Sequence, residues 1–170
     1  MEKIGIESFY KSTWAALGPE MNYPIGCADC HDNETMVLTI TRPALKEAYE
    51  RQGKNIADAG HQEMRSLVCA QCHVEYYCGP KATLFFPWEN GIKMEHIEAT
   101  YEAKKFADGS AFADFVHAET GAPVFKAQHP EFEMWSQGVH ARSGVSCADC
   151  HMPYKREGAT KISDHWVRSP

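Results

Sequence analysis

Residues 147–151 read Cys147-Ala148-Asp149-Cys150-His151. The same pattern occurs twice more in the chain, and our interpretation of the sequence rests on these three motifs. Two thiols separated by two residues and followed by histidine form the attachment pattern of c-type haem. The thiols bond to the porphyrin vinyl groups, and the histidine binds the iron from one side. The other copies are Cys27-Ala28-Asp29-Cys30-His31 and Cys69-Ala70-Gln71-Cys72-His73. The sequence therefore predicts three covalently attached haems, with His31, His73 and His151 as proximal iron ligands.

Zinc is the alternative reading of these cysteines, because Cys-x-x-Cys pairs also build tetrahedral zinc sites. A zinc ribbon does not need histidine directly after the second cysteine, yet histidine follows all three pairs here. A disulfide framework would not produce that adjacency either. The pattern favours haem, and it leaves only Cys78 of the seven cysteines without a predicted role.

Length and charge narrow the class of protein. A chain of 170 residues is expected to form one domain. Its net charge of -6, without a basic cluster interleaved with aromatic residues, argues against nucleic acid as a partner. Haem is attached to thiols outside the cytoplasm, so we expect a periplasmic protein. The first seven residues nevertheless contain no apolar segment of a signal peptide.

The predicted fold is mainly α-helical, with short helices and long loops packed around covalently bound haems. Long loops between short helices are unusual in a packed domain. They are expected here if porphyrins supply part of the core. Residues 84–88 form a short apolar run that is predicted to be a strand or extended. Helices are predicted over residues 43–52, 56–72, 94–106 and 131–140, from good helix formers and from Pro and Gly at their ends. The last of these helices is expected to end near Gly138.

Six histidines remain after the three proximal ligands are assigned: His61, His96, His117, His129, His140 and His165. Electron-transfer haems commonly take a second axial histidine. His140 lies shortly before the third motif, and His165 has a carboxylate beside it that can orient its ring. These two are the better candidates, whereas His61, His96 and His117 are expected to be solvated surface side chains.

Two further segments contain groups suited to a hard cation. Glu75 and Tyr76 follow directly on the second motif, and Lys126, Gln128 and His129 lie far along the chain. Carboxylate, amide and carbonyl oxygens are the ligands that calcium prefers. The separation of the two segments in the sequence makes this a weak indication when it is taken alone.

These segments together resemble one family, the pentahaem, ammonia-forming cytochrome c nitrite reductases. Residues 68–77 resemble its third-haem segment, and residues 126–131 resemble its active-site loop. Residues 24–31 and 144–153 are similar to its second-haem and fourth-haem segments. The resemblance covers almost the whole chain in order, and its motifs are long.

The resemblance implies reduction of nitrite to ammonium by six electrons, and activity on hydroxylamine and in some members on sulfite. It implies that Tyr76 and His129 are catalytic side chains that hydrogen-bond and protonate the substrate. The implied calcium ligands are Glu75, Gln128 and the main-chain carbonyls of Tyr76 and Lys126.

The resemblance also implies partners and further iron ligands. His165 matches the second ligand of the haem on Cys27 and Cys30, where electrons enter, and His140 matches a ligand of the fifth haem. The family draws electrons from a multihaem cytochrome, either membrane-anchored or soluble, and forms homodimers. Its cofactors are five haems c and calcium.

The sequence departs from the family in what it lacks. It contains no Cys-x-x-Cys-Lys motif for the catalytic haem, no fifth haem motif and no long dimerisation helices. We therefore expect residues 1–170 to be a single partial domain, the central part of a nitrite reductase, inactive by itself. The alternatives are a small trihaem electron-transfer cytochrome, or a related multihaem reductase acting on hydroxylamine or tetrathionate.

Overall fold

The computed structural model describes residues 5–22, 25–79 and 83–169. Residues 1–4 and Pro24, which the sequence analysis used, lie outside these ranges. Within them the chain folds mostly into short helices joined by loops, as predicted. The helices are α1 (Ile6–Lys11), α2 (Trp14–Leu17), α3 (Pro43–Arg51), α4 (His61–Ala70), α5 (Met94–Ala103), α6 (Glu131–Gln137), α7 (Val139–Arg142) and α8 (Cys147–His151).

In the described ranges short strands form three antiparallel hairpins, of which the last follows α8. The pairs are β1 (Tyr77–Gly79) with β2 (Thr83–Phe85), β3 (Phe115–Val116) with β4 (Pro123–Val124), and β5 (Tyr154–Glu157) with β6 (Thr160–Ser163). Among the residues that the structure describes, 3₁₀ turns lie at Gly18–Glu20, Cys27–Asp29 and Ile56–Asp58. None of the helices in the described ranges is long and apolar enough to cross a bilayer.

The core lies where α3, α4, α5 and α6 meet. Pro43 begins α3 because proline suits the first helical turn, and residues 45, 48 and 49 then share one buried face. Trp88 is fully buried, and its ring stacks on that of Phe132 in α6. The cluster comprises Ile40, Ala44, Leu45, Ala48, Tyr49, Leu67, Ala70, Val74, Phe86, Trp88, Ile97 and Phe132.

The helix predicted over residues 43–52 is confirmed, whereas the one over 56–72 was wrong in its first part. Ile56–Asp58 is a separate 3₁₀ turn, because the Asn55 side chain caps it at Ala57 N–H. Ala59 and Gly60 are extended, so α4 begins at His61.

The other boundaries also shorten. The helix predicted over 131–140 is divided, because Gly138 is extended with ψ of 171° and separates α6 from α7. The helix predicted over 94–106 ends at Ala103, where Lys104 becomes extended. Of residues 84–88, which were predicted to be a strand or extended, Leu84 and Phe85 lie in β2, and residues 86–88 follow it without regular structure.

Candidate haem and calcium sites

The second haem motif continues directly from α4, and the Gln71 side chain within this motif binds the first motif. Its amide oxygen accepts from Thr41 N–H at 2.7 Å and Arg42 N–H at 3.0 Å. Its amide nitrogen donates to the carbonyl oxygen of Asp29 at 2.9 Å. Because Gln71 is buried, these bonds are shielded from water and connect the first and second motifs.

Asp149 connects the third motif to the same helix. Its carboxylate accepts from Ser146 N–H at 2.8 Å, as an N-terminal cap of α8. It also accepts from Gln62 Nε2 at 2.6 Å and Arg65 Nη2 at 3.1 Å, both on α4. Partial burial alone would raise the pKa of Asp149, but these hydrogen bonds outweigh that and lower it.

Asp29, Gln71 and Asp149, which lie between the two cysteines of their motifs, therefore hold the three motifs around α4. Sequence analysis assigned them no role. Asp149 could have been recognised from its place three residues after Ser146, which is typical of a helix cap. The Cys69 and Cys147 thiols interact strongly enough to raise the pKa of Cys69 and lower the pKa of Cys147, so the attachment points of two predicted haems are neighbours.

Three predicted iron ligands have the same hydrogen-bonding arrangement. Nδ1 of His31 lies 2.7 Å from the Met36 carbonyl oxygen, and Nδ1 of His151 lies 2.9 Å from the Arg168 carbonyl oxygen. Nδ1 of His165 lies 3.0 Å from the Ser163 carbonyl oxygen. A carbonyl only accepts, so the proton resides on Nδ1 and each Nε2 has a lone pair for a metal.

His31 and His165 face each other across a cavity of about 920 Å³ that Cys27 and Cys30 also line. Their ring centres are 6.1 Å apart. Two imidazoles on opposite sides of one iron have ring centres roughly 6 Å apart, with metal–nitrogen bonds of about 2 Å. The cavity and both rings fit a haem, and their assignment as its ligands stays a prediction.

The remaining histidines differ in their surroundings. His140 is exposed on α7, and its role as an iron ligand stays a prediction. His61 is exposed but borders the cavity of His31 and His165. His117 is an exposed turn residue, as expected, with Nδ1 3.1 Å from the Thr120 hydroxyl.

His96 was wrongly expected to be a solvated side chain. It is half-buried, and its Nδ1 makes no hydrogen bond with any described residue. The ring packs against Gly91, where a Cβ atom would lie 2.3 Å from Nδ1. Gly91 has φ of +122°, so both its backbone and its space require glycine.

The two candidate calcium-binding segments, 53 residues apart in sequence, are in direct contact. Glu75 is buried, and its Oε2 accepts from Gln128 N–H at 2.7 Å. Its Oε1 accepts from the Tyr101 hydroxyl at 2.9 Å. The ring centres of Tyr76 and His129 lie 5.5 Å apart. The fold thus brings the predicted catalytic pair together beside the predicted calcium ligands.

Glu133 on α6 holds the backbone of Glu75, and the sequence analysis did not predict this role. Glu133 is only 1 % exposed. Its Oε1 accepts from Glu75 N–H at 3.0 Å and from Trp88 Nε1 at 2.7 Å, while Oε2 is buried without a described partner. Burial raises the pKa of Glu133 to about 7. No local sequence pattern predicts a buried glutamate of this kind, because its hydrogen-bond partners come from other segments of the chain.

The loop that contains Lys126 is held by a second carboxylate. Lys126 N–H donates to Asp114 Oδ2 at 2.7 Å, and Asp114 N–H donates to the Val124 carbonyl oxygen at 3.0 Å. Through the Gln128 N–H bond, Glu75 contacts the segment that contains the Gln128 amide and the Lys126 carbonyl. This set of hard oxygen donors fits calcium, although the assignment of Glu75, Tyr76, Lys126 and Gln128 as its ligands stays a prediction.

Glu131 faces two histidines at the edge of this site. Its Oε2 lies 3.7 Å from His73 Nδ1 and 3.6 Å from His129 Nδ1. Potential ligand atoms of the three residues all lie within 4.8 Å of one another. At these distances Glu131 makes no hydrogen bond to either imidazole, and His129 Nδ1 is buried without a hydrogen-bond partner among the described residues.

Comparison with known proteins identifies the family to which the chain is similar. A family model described as cytochrome c552 matches residues 1–170. The chain is 56 % identical over 171 residues to cytochrome c-552 of Parabacteroides distasonis, and 42 % identical over 182 residues to that of Desulfotalea psychrophila. The alignments cover 100 % of this chain, but only 33 % and 35 % of the relatives. The chain thus spans about a third of the length of the curated relatives it matches.

A solved structure gives the same result for the fold. The cytochrome c nitrite reductase of Desulfovibrio desulfuricans superimposes with a TM-score of 0.78 at 48 % sequence identity. The match covers 86 % of this chain and 32 % of that one, which is described as a catalytic subunit with two calcium sites. The predicted multihaem cytochrome c fold is confirmed.

Proposed function

The chain belongs to the cytochrome c552 family, and from this we propose that it forms the central, three-haem part of a periplasmic, ammonia-forming cytochrome c nitrite reductase. The observation that carries the proposal is the contact between the 75–76 and 126–129 segments. Gln128 N–H binds Glu75 at 2.7 Å, and this places Tyr76 and His129 side by side. A simple electron carrier has no use for such a pair.

The reaction defines what these side chains have to do. Nitrite takes up six electrons and eight protons and yields ammonium and two waters. A haem iron supplies the electrons and a binding position for the nitrogen of nitrite. The Tyr76 hydroxyl and the His129 imidazole offer hydrogen bonds to the oxygens of nitrite and donate protons as those oxygens leave as water.

Calcium would be held by Glu75, Gln128 and the carbonyls of Tyr76 and Lys126. Glu75 directly precedes Tyr76, and Gln128 directly precedes His129. Calcium bound by these residues would therefore fix the backbone from which Tyr76 and His129 project. Its charge also favours an anionic substrate near the site. The buried Glu133 and the Tyr101 hydroxyl hold Glu75 in place for this role.

Electrons would enter at the haem of Cys27 and Cys30, whose iron His31 and His165 would bind. We further propose that a multihaem cytochrome donates them and that the complete enzyme is a homodimer. Hydroxylamine is a second substrate under this proposal, and sulfite a third. The three motifs meet around α4, so the haems that they would hold could lie close enough together to pass electrons on.

The test is His129→Asn in the haem-loaded protein that contains these residues together with the catalytic haem segment. We expect nitrite reduction to fall by about 10²–10⁴-fold, because a proton donor is lost. Haem content and reduction by dithionite should not change. His117→Asn, at an exposed turn, is the matched control. Wild-type turnover in His129→Asn would refute the assignment.

A trihaem electron carrier is the second candidate, since the sequence holds three Cys-x-x-Cys-His motifs and no Cys-x-x-Cys-Lys motif. The haem-loaded 170-residue chain separates the two. As part of a reductase it should exchange electrons but form no ammonium from nitrite, and it should bind calcium. A carrier would exchange electrons and show no calcium binding. Ammonium formation by this chain alone would contradict its predicted inactivity.

A further inference from the structure

Arg65 is a buried cation at the junction of the three haem motifs, and the proposed function assigns it no role. It lies on α4, one helical turn before Cys69, and is 4 % exposed. Nη2 donates to Asp149 Oδ1 of the third motif at 3.1 Å. Nη1 donates to the Ser163 hydroxyl at 3.0 Å. The guanidinium carbon lies 4.3 Å from the ring centre of Tyr154.

Arg65 also borders the cavity that the first motif shares with His165. Its Nε is buried and makes no hydrogen bond with any described residue. A buried N–H without an acceptor is costly, and it is costlier still on a charged group. The cavity wall therefore contains a fixed positive charge that is not fully satisfied by hydrogen bonds to the described residues.

The partners of Arg65 connect it to the second iron ligand of that cavity. The Ser163 carbonyl is the group that lies 3.0 Å from His165 Nδ1 and so orients its ring. Ser163 pairs with Tyr154 across the β5–β6 hairpin. Arg65 therefore holds both strands of the hairpin that carries His165 against α4. A change at Arg65 would alter the angle of the His165 ring.

We propose that Arg65 is a positioning residue of the electron path, which sets the orientation of His165 and raises the reduction potential of the haem on Cys27 and Cys30. This rests on the proposed function, in that it assumes a haem in this cavity. A haem that gains an electron loses one positive charge. A nearby buried cation therefore favours the reduced form, because the surrounding dielectric is low.

Asp149 provides a second test, in which the reduction potential is expected to shift in the opposite direction. It is the counter-charge of Arg65, so its loss leaves the guanidinium charge uncompensated. Removing Arg65 should lower the potential of one haem, and removing the charge of Asp149 should raise it. A purely structural role for the ion pair predicts no such opposition, because each change would break the same contact.

The experiment is a spectroscopic redox titration of the haem-loaded protein, with low-temperature EPR of the oxidised form. Arg65→Gln is expected to shift one haem midpoint to a more negative potential and to change the low-spin EPR signal of a haem with two histidine ligands. Asp149→Asn should shift a midpoint to a more positive potential. Arg65→Lys should keep the wild-type potential, because it keeps the charge.

Lys161→Gln is the matched control. Its ammonium lies 3.9 Å from the centre of the same Tyr154 ring, but Lys161 is exposed. Water and salt screen an exposed charge, so its removal should leave every potential unchanged. A shift as large as that of Arg65→Gln would show that burial is not the cause, and would overturn the proposal.

Three results decide the matter. Unchanged midpoints and EPR signals in a fully loaded Arg65→Gln protein would overturn the role of Arg65. If Arg65→Gln fails to fold, Asp149→Asn decides, and the absence of a positive shift there overturns it. Intact mass separates this from the proposed function: unmodified Cys27 and Cys30 in the wild-type protein would mean that the cavity holds no covalent haem.

Discussion

The candidate calcium site and the cavity of His31 and His165 are built in different ways. At the calcium site, buried carboxylates of Glu75 and Glu133 accept hydrogen bonds from distant segments of the chain. At the cavity, the walls include apolar side chains such as Ile25 and Val37, which are 72 % and 63 % exposed. The first site is organised by the protein's own hydrogen bonds, whereas the second presents a surface suited to a porphyrin.

This difference determines what each region depends on. Hydrogen bonds between buried groups are specific but modest in net energy, and the loss of one partner is expensive. An apolar wall gains stability when an apolar group covers it, in proportion to the area covered. Changes at the cavity should therefore act through haem attachment, and changes at the calcium site through single polar contacts.

The largest expected effect is on the cavity side, in the double variant Cys27→Ala, Cys30→Ala. It removes the covalent attachment of one haem, so the apolar walls lose their cover. We expect the loss of one haem in the intact mass and a destabilisation of at least about 5 kcal/mol, measured by thermal unfolding. Cys78→Ala, at an exposed thiol, should leave both unchanged. An unaltered melting temperature in the double variant would contradict the comparison.

The next effect is on the calcium side. Glu133→Ala leaves the Trp88 indole and Glu75 N–H groups buried without an acceptor, and should destabilise the protein by about 2–4 kcal/mol. It should also weaken calcium binding by about 10–100-fold, as loss of a supporting ligand contact does. Urea unfolding and calorimetric titration with calcium measure these quantities.

Glu133→Gln is the informative companion, because its side-chain oxygen still accepts while its charge is gone. A loss of no more than about 1 kcal/mol is expected there. Glu98→Gln, on the exposed face of α5, is the control. If Glu133→Ala bound calcium as tightly as the wild type, Glu75 would not depend on Glu133 for its position.

Tyr101→Phe removes one hydroxyl from the same site. Its bond to Glu75 Oε1 is 2.9 Å long, and losing it should cost about 1 kcal/mol. Calcium affinity should fall by less than in Glu133→Ala, because Gln128 N–H still holds the other oxygen of Glu75. A loss of affinity larger than that of Glu133→Ala would reverse the order of importance proposed here.

The smallest effect is expected from Gln62→Ala, in the first turn of α4. Gln62 is exposed, and its amide donates to Asp149 and to the Gly144 carbonyl oxygen. Water can replace both bonds, so we expect a loss of about 0.5–1 kcal/mol and full haem content. Loss of haem from Gln62→Ala would mean that the polar contacts, and not the porphyrin, organise this region.

The two regions also differ in how far they could be predicted. The haem motifs were recognised because attachment chemistry requires five adjacent residues, which is a local pattern. The contact of Glu75 with Gln128 could be inferred only through the family resemblance, since no local rule joins residues that far apart. Glu133 was missed altogether, because its role depends on Trp88 and on a backbone N–H from a third segment.

Helix boundaries show the same limit on a smaller scale. Pro43 and the good helix formers after it predicted α3 to within one residue, because these preferences act within a single turn. The predicted helix from residue 56 failed, because Asn55 caps a separate 3₁₀ turn before Gly60. A longer helix and a separate 3₁₀ turn are both stabilised by local hydrogen bonds. The sequence alone does not show which of the two forms at residues 56–58.

The sequence by itself determined the cofactor chemistry of this protein, because it contains three Cys-x-x-Cys pairs that are each followed directly by a histidine. It determined the family as well, through motifs that survive as contiguous strings. Only the tertiary structure decided that Arg65 and Asp149 pair between motifs, that Ser163 orients His165, and that Glu133 supports Glu75. These are contacts between residues distant in the chain, and their energies depend on burial, which no single stretch of sequence specifies.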